Sequence, residues 1–216
     1  RSTADTTQIM YRIQEDAIDL RRRKERAGEV INGDEEPAAR LLDLQKAYPR
    51  VNKPALWRLL VRYGMGNKCL RVLQDLHETT EYKIKGRDGE SEPWIPERGL
   101  REGGATSPPL FNIYHQAPMR LAKEERERVA RETGVEMGIK FHWVPGSVLL
   151  SEREKPNSET VEVTVEKGLF ADDTSIVGKG RELEEGIRIT KEIMGKFEER
   201  NNDHKEEILE FGKRRQ

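Results

Sequence analysis

The sequence predicts an α+β fold with helices set against an antiparallel sheet. Three observations carry it. Apolar residues recur at helical spacing in several separate stretches, short β-prone runs lie between them, and two turn signals join strands directly. The first turn signal is Asp88-Gly89, flanked by Tyr82 to Lys85 and Trp94 to Ile95. The second is Asp172-Asp173, with Gly168-Leu169-Phe170 before it and Thr174-Ser175-Ile176-Val177 after it. A turn between two strands holds both carboxylates at one sheet edge, where they repel unless cations lie between them. Taken alone, a paired-aspartate turn is most often just a solvated turn.

The elements follow in order. Ser2 or Thr3 caps a helix whose apolar positions are Ile9, Ile13, Ala17 and Leu20, ending in the basic run Arg21 to Arg26. That run reads first as a solvated face. Asn32-Gly33-Asp34 is a turn. Ala38 to Leu44 is an apolar strand interrupted by one carboxylate, Asp43. Helices are expected over Pro54–Tyr63 and Asn67–Glu78, punctuated by Gly64 and Gly66. After the glycine-rich run Gly99 to Gly104, Ser107 caps a long helix with Pro108 at its first position, extending towards Arg131. Ile139–Val144 and Val161–Val165 alternate as strands around a polar linker, 151–159, expected to be mobile. Leu183, Ile187, Ile193 and Met194 mark a last helix, and Glu207–Phe211 a last strand.

Composition limits the function. Of 216 residues, 34% are hydrophobic and 37% charged, against roughly 45–50% and 25% in an average domain, so much of the surface suits water or a polar partner. The net charge of −1 supplies no global field for nucleic acid, so any such binding uses local basic clusters. The single cysteine, Cys69, excludes an internal disulfide and fits a reducing compartment; its flanks predict a buried thiol. The four histidines lack zinc-ligand spacing. No stretch approaches the ~18 apolar residues of a membrane span. The opening Arg1-Ser2-Thr3 has no initiator methionine, which suggests a piece of something longer.

Three motifs occur in a fixed order. They are Leu41-Leu42-Asp43-Leu44-Gln45-Lys46-Ala47-Tyr48, then Gly99-Leu100-Arg101-Glu102-Gly103-Gly104-Ala105-Thr106-Ser107-Pro108-Pro109-Leu110-Phe111-Asn112, then the turn at Phe170 to Asp173. Together they resemble the reverse transcriptase domain of non-LTR retrotransposons, with group II intron proteins more distant. Asn202-Asp203-His204-Lys205-Glu206-Glu207 is similar to that family's Asn-x-x-Lys-x-Glu segment, and Arg1-Ser2-Thr3 to the tail of its Gly-Arg-Ser-Thr signature. The resemblance runs over essentially the whole chain.

It implies a right-hand polymerase palm (an antiparallel sheet with packed helices) plus part of the fingers, with the thumb absent. Residues 1–37 would be a fingers-side helix and loop. Residues 38–212 would form the palm, with fingers elements in the 81–98 hairpin and the 151–159 linker, and residues 213–216 a truncated tail. The implied activity is RNA-directed DNA synthesis through two Mg²⁺ ions about 3.5–4 Å apart, with Mn²⁺ as a substitute. Asp43 and Asp172 would bridge the metals with Asp173 alongside. Lys205 would protonate the leaving pyrophosphate, though taken alone it is equally an ordinary surface lysine. Tyr48 would close the space at the sugar 2′ position; taken alone it is a core aromatic. Glu102 and Gly103 would lie at the nucleotide, and Arg101, Gly104 and Ser107 at template or primer.

The implied partners are an RNA template, a DNA primer, deoxynucleoside triphosphates and the rest of the parent polyprotein, with no membrane. The implied location is intracellular and nuclear. The chain departs from the family at Glu102, where Gln is usual, at Gly104, where Cys or another residue stands, and at Pro49, where Asp stands. A carboxylate ~5 Å from a phosphate charge costs roughly 3 kcal/mol at an effective dielectric of 20, so Glu102 is expected to pair with Arg98 or Arg101. A different reading is a catalytically silent module that binds RNA or serves as a scaffold; the three intact aspartates argue against it. An RNA-dependent RNA polymerase shares the palm, but a bulky Tyr48 disfavours ribonucleotides.

Overall fold

The computed structural model describes residues 3–30, 36–87, 89–135, 137–143, 149–151, 161–170 and 173–211. The chain forms two compact units. One comprises residues 1–43, 122–192 and 201–216, the other residues 44–121 and 193–200.

In the first unit the chain begins with helix α1 (Thr3–Ala27). Its apolar stripe buries Ile13 and Ala17 against Ala39, Ile139, Val177 and Phe211. The charged C-terminal end is stitched by surface pairs, Arg21 with Glu25 and Glu36 and Arg23 with Asp19, as the solvated-face reading of that run expects.

Strand β1 (Pro37–Leu42) lies at the centre of this unit. It pairs antiparallel with the later strand 173–179 on one side and with 207–210 on the other. Leu42 packs with Ile176, Leu183 and Ile187 in a second buried cluster. The strand ends before Asp43, two residues earlier than expected.

The second unit starts with the short helix α2 (Ala47–Arg50), which sequence periodicity does not reveal. Helix α3 (Lys53–Arg62) is capped by Asn52, whose side-chain oxygen accepts from the Ala55 N–H at 3.0 Å. Helix α4 (Asn67–Glu78) has the expected bounds. Cys69 on α4 is exposed, contrary to expectation; Leu70 and Leu73 face the core instead.

Strands β2 (Lys85–Gly86) and β3 (Gly89–Glu90) pair Gly86 with Gly89, so the hairpin closes one residue earlier than the turn signal predicts. Asp88 lies outside the described residues. A Tyr82–Trp94 bridge and ring contact continue that hairpin. The core here gathers Leu44, Val51, Leu56, Trp57, Leu60 and Leu100 with Leu110, Phe111 and Tyr114 of helix α5 (Ser107–Thr133).

Back in the first unit, β4 (Ile139–Trp143), β5 (Leu149–Ser151) and β6 (Val161–Val165) form a sheet in the order β5-β4-β6. Strand β5 was not expected. Val144 and residues 152–159 of the expected linker lie outside the described residues. Strands β7 (Lys167–Phe170) and β8 (Asp173–Lys179) pair antiparallel, and helix α6 (Gly180–Lys196) follows. Strand β9 (Glu207–Glu210) completes the sheet β7-β8-β1-β9. Among the described residues, no helix is long and apolar enough to cross a membrane.

Candidate active site

Antiparallel register brings two of the three sequence-predicted aspartate positions, 43 and 173, to one sheet end. Leu42 pairs with Thr174, and Asp43 follows the first while Asp173 precedes the second. Asp43 and Asp173 therefore stand one step beyond the same pair of neighbouring strands. Phe170 pairs with Asp173 across the hairpin, so two residues, 171 and 172, join the strands. Asp172 itself and the Asp173 side chain lie outside the described residues.

Asp43 is held from the segment before β9. The Asn202 backbone N–H donates to the Asp43 carbonyl at 2.7 Å, and the Asn202 amide donates to Asp43 Oδ2 at 3.3 Å. Lys205 Nζ lies 3.9 Å from the same oxygen, at the end of a short 3₁₀ turn over Asp203–Lys205. The lysine side chain is 68% exposed and the Asp43 carboxylate 34%, so both reach solvent.

The turn is itself anchored. Lys191 of α6 donates to Asp203 Oδ1 at 3.1 Å and to Glu206 Oε2 at 2.6 Å, and Arg40 of β1 sits 3.2 Å from Glu206. Hydrogen bonds from Asn201 and Lys191 hold the Asp203 carboxyl below its usual range. Sequence reasoning singled out Lys205 but missed Asn202 as the side chain that orients Asp43. Its signal was present, since Asn202 opens the quoted segment.

The residues expected at nucleotide, template or primer belong to the second unit. Tyr48 lies on α2, half-buried, with its ring 5.1 Å from Phe111. The Tyr48 carbonyl accepts from the Leu100 N–H at 2.9 Å and the Val51 carbonyl from Gly99 at 2.8 Å, which laces the glycine-rich loop to α2. A Cβ at Gly99 would lie 2.8 Å from the Pro49 backbone, and Gly99 has φ +89°, so only glycine fits.

The loop then turns back on itself. The Ser107 hydroxyl donates to the Arg101 carbonyl at 2.5 Å, and Gly104 N–H donates to the same carbonyl at 3.3 Å. Ser107 is 1% exposed. It was expected as a helix cap. Instead α5 begins at Ser107 itself, and the hydroxyl closes the loop from inside. Thr106 precedes the helix and accepts from the Leu110 N–H at 3.2 Å through its carbonyl.

At Gly104 a Cβ would lie 3.0 Å from Ser107 Oγ and 3.3 Å from the Arg101 carbonyl oxygen, a tight fit. Gly103, at φ +74°, has open space around it. Arg101 and Glu102 are exposed. Glu102 is not paired with Arg98, whose guanidinium bonds Glu198, and it has no partner among the described residues. The expected arginine pairing is thereby corrected.

Two buried residues that sequence reasoning did not select fix this loop from below. Lys53 Nζ donates to the carbonyls of His77 (2.8 Å) and Pro96 (2.7 Å). The His77 ring bonds Thr106 Oγ1 at 3.1 Å. Burial, then the charges of Lys53 and Arg101, push the His77 pKa down, so this imidazole is neutral at physiological pH. Among the described residues, no three His, Cys, Asp or Glu side chains gather as a metal site.

Sheet order and register define a domain of α+β fold, with helices on antiparallel sheet. Telomerase from Candida albicans, in complex with a fragment of telomeric RNA, has a similar structure: TM-score 0.58 at 12% identity, over 100% of this chain and 31% of that one. Telomerase from Candida tropicalis gives 0.55 at 13% identity, over 97% of this chain and 29% of that one. In sequence, 84 residues are 27% identical to the retrovirus-related Pol polyprotein of the type-2 retrotransposable element R2DM from Drosophila melanogaster. That match covers 39% of this chain and 8% of the polyprotein. The chain thus spans a small part of the curated relative and about a third of the telomerases. No family model matches.

Proposed function

We propose that the chain is the palm, with part of the fingers, of an RNA-directed DNA polymerase from a retroelement protein. It extends a primer 3′ end on an RNA template with deoxynucleoside triphosphates, acting in the nucleus within a longer polyprotein. The observation that supports this most is Asp43 at the end of β1, beside the β8 end that carries Asp173 and 3.9 Å from Lys205.

Asp43, Asp172 and Asp173 would hold Mg²⁺, or Mn²⁺ in its place. The donor chemistry fits, since hard cations take carboxylate oxygens. Asp43 keeps a partly exposed carboxylate whose ammonium neighbour stands beyond hydrogen-bond distance. When bound, the ions favour the deprotonated primer hydroxyl and neutralise the leaving pyrophosphate.

The chain's own residues do the rest. Asn202 orients the Asp43 carboxylate, and Lys205, exposed beside it, donates a proton to the leaving group. Tyr48 fills the space where a 2′-hydroxyl would lie. Gly103, with no Cβ and open space around it, lets the loop backbone approach the nucleotide. Gly104 and the exposed Arg101 serve the template or primer strand.

Primer extension by the full-length parent, with and without Mg²⁺, tests this reading. Metal-dependent extension is expected; a parent that binds RNA but extends nothing is a silent scaffold instead. In the same assay Tyr48→Val is expected to raise ribonucleotide relative to deoxynucleotide incorporation about tenfold or more, on the order of 1.4 kcal/mol. An unchanged ratio returns Tyr48 to the ordinary core. Glu102→Gln is expected to tighten triphosphate binding, because the exposed carboxylate has no arginine to lose among the described residues. Weaker binding by that variant would mean Glu102 supports the loop after all.

A further inference from the structure

The second unit contains a buried ionisable pair for which the proposed chemistry has no use. His115 Nδ1 lies 2.9 Å from Glu199 Oε2, with side chains only 3% and 5% exposed. The other Glu199 oxygen, Oε1, is buried with no hydrogen-bond partner among the described residues. A carboxylate out of water needs a charged or hydrogen-bonded partner, so His115 is what makes Glu199 tolerable there. Nor is Glu199 there by accident of a loose loop. Phe197, Glu198 and Glu199 N–H groups bond back to Met194, Gly195 and Met194 carbonyls. Glu198 adopts a left-handed φ of 62°, an arrangement that persists only where the surroundings enforce it.

From this pair a line of rings runs to Tyr48. His115 lies one helical turn after Phe111 on α5, and the two rings stack at 5.5 Å with an interplanar angle of 11°. Phe111 has no exposed surface, and its other neighbour is the Tyr48 ring at 5.1 Å, tilted 40°. A hydrogen bond at Nδ1 fixes the rotation of the imidazole, and a fixed imidazole limits where the stacked phenyl can go. Close-packed rings transmit such a limit because the interior has little free volume.

We propose that the His115–Glu199 pair is a positioning element for Tyr48, acting through Phe111, and thereby sets discrimination at the nucleotide 2′ position. The inference rests on the polymerase reading for its selectivity half. The positioning half stands on geometry within one unit. His115 and Glu199 are positioning residues, since neither side chain reaches the surface where a nucleotide would lie.

The test is a double-mutant cycle in the full-length parent, read as the ratio of ribonucleotide to deoxynucleotide incorporation. His115→Leu removes the hydrogen bond and the ring. Glu199→Met keeps a side chain of similar length and removes the hydrogen bond from the other side, so it tests the same relay if the leucine variant fails to fold. Both variants are expected to raise the ratio at least threefold, and the rise is expected to vanish in the Tyr48→Val background, where there is no ring left to position. General destabilisation lowers both incorporations together and leaves the ratio unmoved. An unchanged ratio, or an equal rise with and without Tyr48, overturns the relay.

A second measurement separates the two readings. With fluorotyrosine at position 48, the fluorine resonance is expected to move in Glu199→Met whether or not the protein polymerises. A resonance that stays in place overturns the positioning claim. A parent that extends no primer while the resonance moves overturns the polymerase reading and the selectivity half with it.

Discussion

Asp43→Asn in the full-length parent is expected to lower primer extension at least a thousandfold, about 4 kcal/mol of transition-state stabilisation. Primer-template affinity is expected to stay within about threefold, because affinity comes mostly from phosphate contacts remote from the reacting oxygens. Asparagine has the shape of aspartate, so the backbone bond from Asn202 to the residue 43 carbonyl survives, and one side-chain oxygen remains to accept from the Asn202 amide. What it lacks is the charge that would hold a divalent cation. Asparagine also leaves Lys205 without its carboxylate neighbour at 3.9 Å, so the lysine becomes freer rather than strained. Retention of even a tenth of the extension rate would remove Asp43 from the chemistry. Loss of activity and affinity together would point to misfolding, which a thermal melt of the variant detects.

The sheet end that carries this site was legible because each side of it is marked by an interruption. A single carboxylate breaks the apolar run at Asp43, and a pair breaks the strand-forming run after Phe170. Helix Asn67–Glu78 was legible to the residue, since Gly66 precedes it and its leucines recur at helical spacing. Periodicity identifies residues that share a face, but it does not say which face the core takes; hence Cys69 is exposed while Leu70 and Leu73 pack inward. Ser107 shows a second limit. Its position before a proline fits a cap, yet its hydroxyl direction depends on the loop that doubles back from Arg101. The Arg98–Glu198 and His115–Glu199 pairs lay beyond any spacing rule, because their partners are 100 and 84 positions apart. Strand β5 is three residues long, too short to leave a pattern.

The largest expected effect on stability belongs to Arg126 in the first unit. It is 2% exposed and the largest fully buried side chain among the described residues. Its Nη1 donates to Thr190 Oγ1 at 2.7 Å, and its Nη2 and Nε donate to Glu166 Oε2 at 3.0 and 3.4 Å. The guanidinium also bears on Lys167, whose pKa burial, and then the Arg126 charge, lower to about 8. Arg126→Ala leaves Glu166 without its cation, Thr190 Oγ1 without its donor, and a cavity between α5 and α6. Breaking a buried pair from one side costs roughly 3–5 kcal/mol, and the part-exposed Glu166, at 17%, places the expectation near the lower end of that range. Arg126→Lys keeps the charge but not the planar fork that serves two acceptors at once, so a smaller loss is expected, about half as large. Urea midpoints of the two variants against the parent measure this. Equal, small shifts in both would mean that Arg126 is held there by packing of its stem alone, and that Glu166 finds water when the guanidinium is gone.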